Sequence, residues 1–356
     1  MFNKTILAFY VAFMKQCISA IKNKNIGLLF ILNIIIFGSF LIIFMFDKSF
    51  LDQRSTRNQI YELYNGISMK KGKLALLFYP IWLLRRIIFI AIPFIVLKDL
   101  YSSRHLLKLL IKRDLSGKYR RAYLGYAWAV LEPLLLAIVY TFIFTILVGS
   151  SDPLYPVKII LGIIGWTMFA RSLTTSAKSL SSSINLFQFA RVPKTVFATS
   201  GTLTNAVLAL ISLTCLIPFY FIHDLPVTAN LFLLPVWLIL LSFTGWGIGL
   251  LLAPIACKVP DVLNLINFLI RAGFFLSPVM WTYDMFNSRF GSGWHGIVAH
   301  MNPTVIPITG MRDAVLGETS NIPGYGYAMC FGIAIIGFIL GAMIFERKAH
   351  SAVVNV

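Results

Sequence analysis

The sequence contains little charge, and most of that charge is of one sign. Only 12% of the 356 residues are charged, with 31 lysines and arginines against 13 aspartates and glutamates. A soluble globular domain usually carries about twice that fraction. Hydrophobic residues make up 58% of the chain, and the mean hydropathy is +0.82. The composition therefore excludes an ordinary soluble protein and predicts an all-α membrane protein with several spans.

Residues that commonly perform catalysis or bind metals are also scarce. The acidic residues are scattered along the chain, without a paired carboxylate motif or a cluster with histidine. The phosphate-binding pattern GxxxxGK[ST] does not occur. We therefore predict no catalytic site, no metal, no cofactor and no ATP site of this type. The cysteines are widely spaced and lack a metal or redox pattern; they are Cys17, Cys215, Cys257 and Cys330.

The net charge of +18 is better explained by contact with membrane lipids than by binding of nucleic acid. In this chain the basic residues flank apolar runs, where anionic lipids of the inner leaflet attract them. We therefore expect membrane lipid, and no nucleic acid, as a partner of the basic segments.

Six apolar runs after residue 126 have the roughly twenty residues that a membrane-spanning helix needs. If residues 104–122 are cytoplasmic, the basic residues concentrate on the inside, as the charge rule requires. The basic residues in the predicted outside loops are only Lys158, Arg289 and Arg312. Both ends of this six-span core are therefore expected in the cytoplasm. The predicted spans are 127–148, 158–177, 197–221, 231–253, 263–281 and 327–345.

The connection at 282–326 is too long and too apolar to be a plain loop. Non-helical backbone at membrane depth is stable only where it is buried in protein or lines a cavity. We therefore predict short re-entrant helices that enter the membrane from the outer side.

The first hundred residues contain one clear membrane segment and one ambiguous segment. Ile26–Phe46 is free of charge and is predicted to span. Leu74–Leu97 contains Arg85 and Arg86, each costing roughly 2.5–3.5 kcal/mol at the bilayer centre. If both segments span, the basic residues between them lie outside; if only the first spans, they lie inside, which fits the charge rule better. The predicted domains are an N-terminal extension at 1–100, an interface helix at 101–125 and a six-span core at 126–356.

Residues 104–122 have the pattern of a basic amphipathic helix. Leu107, Leu110, Ile111 and Leu115 recur at helical spacing, while basic residues recur every fourth position on another face. Such a helix lies in the plane of the inner leaflet. It is either a membrane anchor alone or a docking surface for another protein. Its candidate interface residues are Arg104, Lys108, Lys112, Arg113, Lys118, Arg120 and Arg121.

Two polar faces within the predicted spans are candidates for a transport path. Glu132, Tyr140 and Phe144 share one face of the first core span. A second stripe on the fifth span consists of Asn264, Asn267 and Arg271. A guanidinium at that depth either faces a wet cavity, where it can bind phosphate or sugar oxygens, or reaches a carbonyl or the headgroups. Both interpretations of Arg271 stay open.

Several short motifs resemble the permease subunits of bacterial ABC exporters for O-antigen, capsule and teichoic-acid polymers. They are LIKRDL at 110–115, LGYAWAVLEP at 124–133, NLFQFARVPK at 185–194, DVLNLIN at 261–267, FFLSPV at 274–279 and MRDAVLG at 311–317. The similarity covers roughly residues 100–350, and the first hundred residues depart from the family pattern.

The resemblance implies a type-2 ABC exporter fold and a function. Two copies of the chain and two ATPase subunits, which bind ATP and Mg, would export a lipid-linked polysaccharide across the bacterial inner membrane. The channel would follow the interface between the two copies, and the re-entrant helices would shape its outer exit.

The resemblance also assigns the segment 185–194 to ATPase coupling, together with the basic helix. The residue types agree, since Phe187 and Phe189 are apolar side chains beside basic residues on a short inside loop. An aromatic anchor with flanking charge gives a small interface both affinity and register. The candidate coupling residues are Asn185, Phe187, Gln188, Phe189, Arg191 and Lys194.

Three other functions are compatible with parts of the sequence. The first is a type-2 ABC permease for a drug or small lipid. The second is a membrane glycosyltransferase or acyltransferase, which the scarcity of clustered carboxylates and histidines disfavours. The third is an ion-coupled carrier, for which only Glu132 resembles an intramembrane carboxylate.

Overall fold

The computed structural model describes residues 92–119, 123–148, 152–184, 193–290 and 294–354. All of these residues belong to one compact unit, Ala91–Val356. Their regular structure is entirely helical. The predicted membrane segments at Ile26–Phe46 and Leu74–Leu97 fall wholly or mostly outside the described residues, so their topology stays a prediction.

The helices follow the apolar runs closely. A helical segment at 92–102 leads into α1, and two short 3₁₀ helices, Leu213–Leu216 and Ala229–Leu233, extend α4 and precede α6. The α-helices are α1 Arg104–Tyr119, α2 Ala127–Val148, α3 Tyr155–Ser182, α4 Thr195–Ser212, α5 Ile217–Ile222, α6 Leu234–Lys258, α7 Asp261–Leu276, α8 Tyr283–Phe290, α9 Trp294–Met301, α10 Val305–Leu316 and α11 Gly324–Val354.

Five of the six predicted spans correspond to helices that are long and apolar enough to cross a membrane. Within the described ranges these are Ala127–Ile146, Tyr155–Ser182, Thr195–Ile222, Ala229–Lys258 and Gly324–Ala349. The predicted fifth span at 263–281 corresponds to α7, which has 16 residues and is about 24 Å long. It ends before Ser277-Pro278, because a residue preceding proline disfavours helical backbone.

Helix α3 lies at the centre of the bundle. It packs against α2, α4, α6, α7 and α10, and the side chains of Ile159, Leu161 and Leu180 are fully buried. Polar side chains such as Ser172 and Ser176 are fully buried as well, so neighbouring helices enclose α3 on several sides. The exposed apolar side chains instead concentrate on the outer helices, where lipid or another protein would cover them.

Alternate glycines allow α6 to lie directly against two neighbours. A β-carbon at Gly245 would be 2.6 Å from the carbonyl oxygen of Phe169 on α3. A β-carbon at Gly247 would be 2.7 Å from the backbone nitrogen of Phe338 on α11, where Gly341 is equally close to α6. Small residues of this kind let membrane helices approach at backbone distance.

Helices α6 and α11 run parallel. Trp246 packs on Phe338 with ring centroids 4.9 Å apart, and further along both helices Cys257 contacts the carbonyl of Ala352. The chain between them must therefore return to the end of the bundle where α11 begins. Helix α7 makes this return, since it starts beside the end of α6 and its Gly273 packs on Trp166 of α3.

Three short helices fill that same end of the bundle, in the region predicted to be re-entrant. We call residues 282–323, which contain α8, α9 and α10, the outer segment. Val305, Ile306 and Ile308 of α10 are fully buried against the neighbouring helices. Arg312, which is predicted to lie on the outer side, is part of α10, and its side chain is only 4% exposed. Its hydrogen bonds to backbone carbonyls make that burial possible.

Replacing Gly245 with valine should destabilise the bundle. The new side chain would push α6 away from Phe169 and Ser172 of α3, and overpacking of this kind costs about 1–3 kcal/mol. We expect a lower midpoint of thermal unfolding in detergent. Gly332→Val is the matched control, because a β-carbon at Gly332 meets no atom within 4 Å. Equal midpoints for the two variants would contradict this packing account.

Candidate functional site

A cluster of polar side chains lies where α1, α2, α3 and α4 meet. We call it the polar cluster, and it consists of Lys118, Glu132, Arg171, Thr175 and Asn205. Asn205 is buried and Arg171 and Thr175 are half-buried, whereas Lys118 and Glu132 are exposed. A polar group removed from water is costly unless it is hydrogen-bonded or paired. The contacts among these side chains therefore favour one arrangement of the four helices.

The ion pair between Glu132 and Arg171 joins α2 to α3. One guanidinium nitrogen of Arg171, Nη2, donates to both carboxylate oxygens of Glu132, at 2.7 and 2.8 Å. Glu132 is one of the predicted path residues, whereas Arg171 is not among the residues predicted from the sequence. A signal was present, because Arg171 is the only charged residue between Lys158 and Lys178. An isolated charge in a membrane helix requires a partner.

A chain of hydrogen bonds connects α1 to the same helices. Lys118 donates from Nζ to Oδ1 of Asn205 at 3.2 Å, and Nδ2 of Asn205 donates to Oγ1 of Thr175 at 3.1 Å. Helix α1 is thereby attached to α4 and α3 at its C-terminal end. A displacement of α1 would directly disturb this series of hydrogen bonds.

The environment of Lys118 shifts its titration. Burial of the ammonium group lowers the pKa of Lys118 to about 8, and the nearby positive charge of Arg171 lowers it further, while the charge of Glu132 opposes the shift. The charge of Lys118 therefore responds to its distance from the Glu132–Arg171 pair.

A small cavity lies beside the polar cluster. Its volume is about 20 Å³, and that is enough for about one water molecule and too small for a sugar ring. No polymer path is therefore visible through the described part of a single chain at this point. The cavity is lined by Ala129, Glu132, Pro133, Leu136, Ile163, Ile164, Thr167, Met168, Arg171, Asn205, Ala209 and Ser212.

Helix α1 has the two faces that the sequence predicts. Leu107 and Leu110 are buried in a cluster with Val196 and Ala198 at the start of α4. The opposite face is exposed and carries charges that interact mainly with neighbours on the same helix, such as Arg113 with Asp114 at 2.8 Å. Of the seven candidate interface residues, Arg104, Lys108, Lys112 and Arg113 lie on this exposed face, Lys118 turns toward the bundle, and Arg120 and Arg121 lie outside the described residues.

Only one of the candidate coupling residues lies in the described part of the chain. Lys194 immediately precedes α4 and is half-buried. Burial lowers the pKa of Lys194, and the negative charge of Glu346 on α11 opposes that shift. Lys194 therefore lies where α4 and α11 come together. The other five, Asn185, Phe187, Gln188, Phe189 and Arg191, lie outside the described residues.

The aromatic residues proposed for the transport path pack within the chain. The ring of Tyr140 is 5.3 Å from that of Phe274 on α7, and Phe144 stacks on Tyr155 of α3 at 4.4 Å. Both rings are partly buried. Their packing attaches α2 to α7 and α3, a role that does not require contact with a substrate.

The second predicted polar stripe lies on the surface of α7. Asn264 and Arg271 are exposed, Asn267 is half-buried, and Ile266 is the buried residue of this helix. Within the described ranges, Arg271 makes no hydrogen bond or ion pair. Its surface therefore differs from that of α2, where Glu132 is paired. The described residues also contain no cluster of histidine, cysteine or carboxylates that could hold a metal.

The family follows from comparison with known proteins. Residues 105–316, from α1 to the end of α10, match the family model of the ABC-2 type transporter. The chain belongs to the ABC-2 type transporter family. All members of the polar cluster fall within the matched residues. This permease is accordingly a multi-pass membrane protein and a transport component.

Similar curated proteins are permeases of polysaccharide export systems. The O-antigen export system permease protein RfbA of Klebsiella pneumoniae is 26% identical over 71% of this chain and 97% of its own length. RfbA of Myxococcus xanthus is 30% identical over 60% of this chain and 81% of its own. The polysialic acid transport protein KpsM of Escherichia coli is 24% identical over 61% of this chain and 81% of its own length. These similarities confirm the resemblance drawn from the motifs.

Removing one charge of the Glu132–Arg171 pair should destabilise this ABC-2 permease. Glu132→Gln leaves the guanidinium of Arg171 without its counter-ion, and Arg171→Gln leaves the carboxylate alone. The double variant should recover part of the loss. The side chains of Arg171 and Glu132 are 32% and 45% exposed, so a double-mutant cycle of unfolding free energies in detergent should give a coupling of about 0.2–1 kcal/mol. Additive losses would contradict the pairing, and the pair Arg113–Asp114, formed by adjacent residues of α1, serves as the control.

The titration of Lys118 should appear in the pH dependence of stability. Its pKa in the folded protein is about 8, against an ordinary value of 10.5. Between these values the unfolded chain binds more protons, so the contribution of Lys118 to stability rises with pH. The gap in unfolding midpoint between the wild type and Lys118→Met should change with pH in that window. A gap that is constant from pH 7 to 10 would contradict the shift.

Proposed function

We propose that this chain is the transmembrane permease subunit of an ABC transporter that exports a lipid-linked polysaccharide across the bacterial inner membrane. The observation that carries this proposal is similarity along nearly the whole length of permeases named for O-antigen export. The similarity to a polysialic acid transport protein extends the same substrate class to a capsule-type polymer. Energy would come from separate ATPase subunits, which would bind ATP and Mg.

The proposed topology has six crossings, with α7 as the fifth. Because α6 and α11 are parallel, the chain between them must cross the membrane once, and α7 is the helix that runs along the bundle in this interval. At about 24 Å it is shorter than the usual hydrocarbon core. The outer segment would then contain the re-entrant helices, with α10 buried among α3, α6 and α11.

The proposed orientation places α1 and the end of α11 in the cytoplasm. Leu107 of α1 and Ala349 of α11 belong to one apolar cluster, so these two elements lie at the same end of the bundle. That end also holds the basic residues of α1 together with Arg347 and Lys348. The positive-inside rule assigns such an end to the cytoplasm.

The polymer path would lie between two copies of the chain. The cavity beside the polar cluster accommodates about one water molecule, which rules out passage of a sugar chain there. Helix α7 exposes Asn264 and Arg271 beside the large apolar side chains of Phe268 and Phe275. Exposed polar groups on a membrane helix require water or a protein partner, and aromatic rings stack well on sugar rings.

The proposed coupling runs from the ATPase to the polar cluster. Residues 185–194 and the exposed basic face of α1 would contact the ATPase subunits. Movement of α1 would reach the bundle through the hydrogen bond from Lys118 to Asn205 and the charge of the Glu132–Arg171 pair. These contacts give a physical route from the nucleotide-binding subunits to α2, α3 and α4.

Deleting the gene should remove the polymer from the cell surface and cause lipid-linked polymer to accumulate inside. Complementation with Arg271→Ala should restore about a tenth of surface polymer or less, because a charged hydrogen bond contributes about 1.5–3 kcal/mol. Immunoblots of surface and intracellular polymer measure both quantities, and co-purification of the ATPase checks assembly. Arg271→Lys and Arg289→Ala are the controls for charge and for an exposed arginine of the outer segment.

Two outcomes would count against the proposal at different levels. Unchanged surface polymer in the deletion strain would exclude polysaccharide export and favour a drug or small lipid as substrate. Normal export by Arg271→Ala would instead assign this arginine to carbonyl or headgroup contacts and leave the function standing.

A further inference from the structure

A buried arginine in the outer segment binds backbone carbonyls from two distant parts of the chain. Arg312 donates from Nε to the carbonyl oxygen of Lys158 on α3 at 3.0 Å. Its Nη1 and Nη2 donate to the carbonyl oxygens of Trp281 and Val279, each at 2.9 Å. Every nitrogen of the guanidinium is therefore used, and each one binds a different carbonyl.

Carbonyl groups, with no carboxylate among them, are the direct partners of this cation. Within the described ranges Arg312 forms no ion pair, and the adjacent Asp313 accepts hydrogen bonds from the amide and hydroxyl of Ser320. A buried cation is costly unless its donors are hydrogen-bonded. The three carbonyls accept from three of the five N–H groups, one on each nitrogen, so their positions are linked through Arg312.

Two of these carbonyls belong to a turn outside regular secondary structure. We call residues 277–281, which follow α7, the outer turn. Its carbonyls at Val279 and Trp281 bind Arg312, and the intervening carbonyl of Met280 accepts a hydrogen bond from the hydroxyl of Tyr155 on α3. Three successive carbonyls are thus held by side chains of α10 and α3.

A second set of contacts attaches the other end of the outer turn. Ser277 is fully buried, and its hydroxyl lies 2.9 Å from both Nδ2 of Asn302 and Oγ1 of Thr304. On α3, a β-carbon at Gly162 would lie 2.8 Å from Cα of Val279 and 3.1 Å from Nη2 of Arg312. The outer turn therefore lies directly on the α3 backbone, with no room for a side chain.

We propose that Arg312 is a positioning residue that makes the outer turn, α10 and the first turn of α3 move as one unit. If the outer turn separated from α10, buried carbonyls and a buried cation would lose their partners together, and each lost bond would carry a desolvation cost. Motion along α7 would therefore displace the whole unit, without bending at the outer turn. The inference rests on the proposed function, in which the outer segment shapes the exit.

The native cysteines provide a local test of this unit. Cys330 on α11 is fully buried, with its Sγ 3.6 Å from the carbonyl oxygen of Pro303, next to Asn302. Cys257 is buried at the opposite end of the bundle, beside Ala352. The rate at which N-ethylmaleimide labels each cysteine in the purified complex, read by peptide mass spectrometry, reports local opening at the two ends.

Arg312→Gln should raise the labelling rate of Cys330 by at least about tenfold, while that of Cys257 changes by less than about twofold. Arg312→Lys should behave similarly, because a single ammonium nitrogen cannot replace the planar fork that reaches three separate carbonyls. Arg289→Gln, at an exposed arginine of the same segment, should leave both rates unchanged.

An unchanged Cys330 rate in folded Arg312→Gln would overturn the inference. A parallel rise at Cys257 would also overturn it, since the loss would then be general unfolding. If Arg312→Gln does not accumulate, Gly162→Ala displaces Val279 and Nη2 of Arg312 by steric contact and should raise the Cys330 rate alone. Failure of that variant to do so would be equally decisive against the unit.

Reconstituted transport separates a positioning role from a purely structural one. In Arg312→Lys, the polymer exported per ATP hydrolysed should fall several-fold while the KM for ATP is unchanged. An unchanged ratio with a freed Cys330 would show that Arg312 only stabilises the fold. If the wild type exports no polysaccharide, the proposed function fails while the labelling result stands, so the two failures are distinguishable.

Discussion

The close approach of three helix backbones along α6 is the constraint on which the remaining structure depends. Gly245 allows contact with α3, and Gly247 with Gly341 allows contact with α11. These contacts let α6 and α11 lie side by side, and the pairs Trp246–Phe338 and Cys257–Ala352 show that the two helices are parallel. Because α6 and α11 are parallel, the chain that connects them must run back along the bundle. The positions of α7 and the outer segment therefore depend on the packing of α6.

Two sets of polar contacts at different ends of this bundle hold an arginine in different ways. Arg171 is partly exposed, is paired with a carboxylate on a neighbouring helix and lies near a second cation that responds to its charge. Arg312 is buried, and two of the three carbonyl oxygens that it binds belong to the outer turn, outside regular structure. The partner of an ion pair can be replaced by another charged group, whereas several backbone carbonyls around one guanidinium hold their segments in one relative position. The ion pair is therefore compatible with helices that move relative to each other, and the carbonyl contacts are compatible with segments that move together.

Membership of the ABC-2 family agrees with this division of the molecule. Helix α1 presents an exposed basic face at one end, and Lys118 near its C-terminus donates a hydrogen bond to Asn205 of the polar cluster. The single-chain cavity there has room for about one water molecule. The polar residues Asn264 and Arg271 of α7 lie on the surface of the bundle.

The sequence by itself determined the helical membrane class, five spanning helices among the described residues, the amphipathic α1 and the family, because apolar run length, helical period and short motifs are local properties. Tertiary structure alone decided that Arg171 pairs with Glu132, 39 residues away, and that Arg312 is buried and binds backbone carbonyls. It also decided that Tyr140 and Phe144 pack against other helices. Hydropathy indicates whether a residue prefers water or an apolar environment, but the partners of a side chain depend on which helices pack together. In this protein the glycines of α6 determine part of that packing, because they permit short distances between the backbones of different helices.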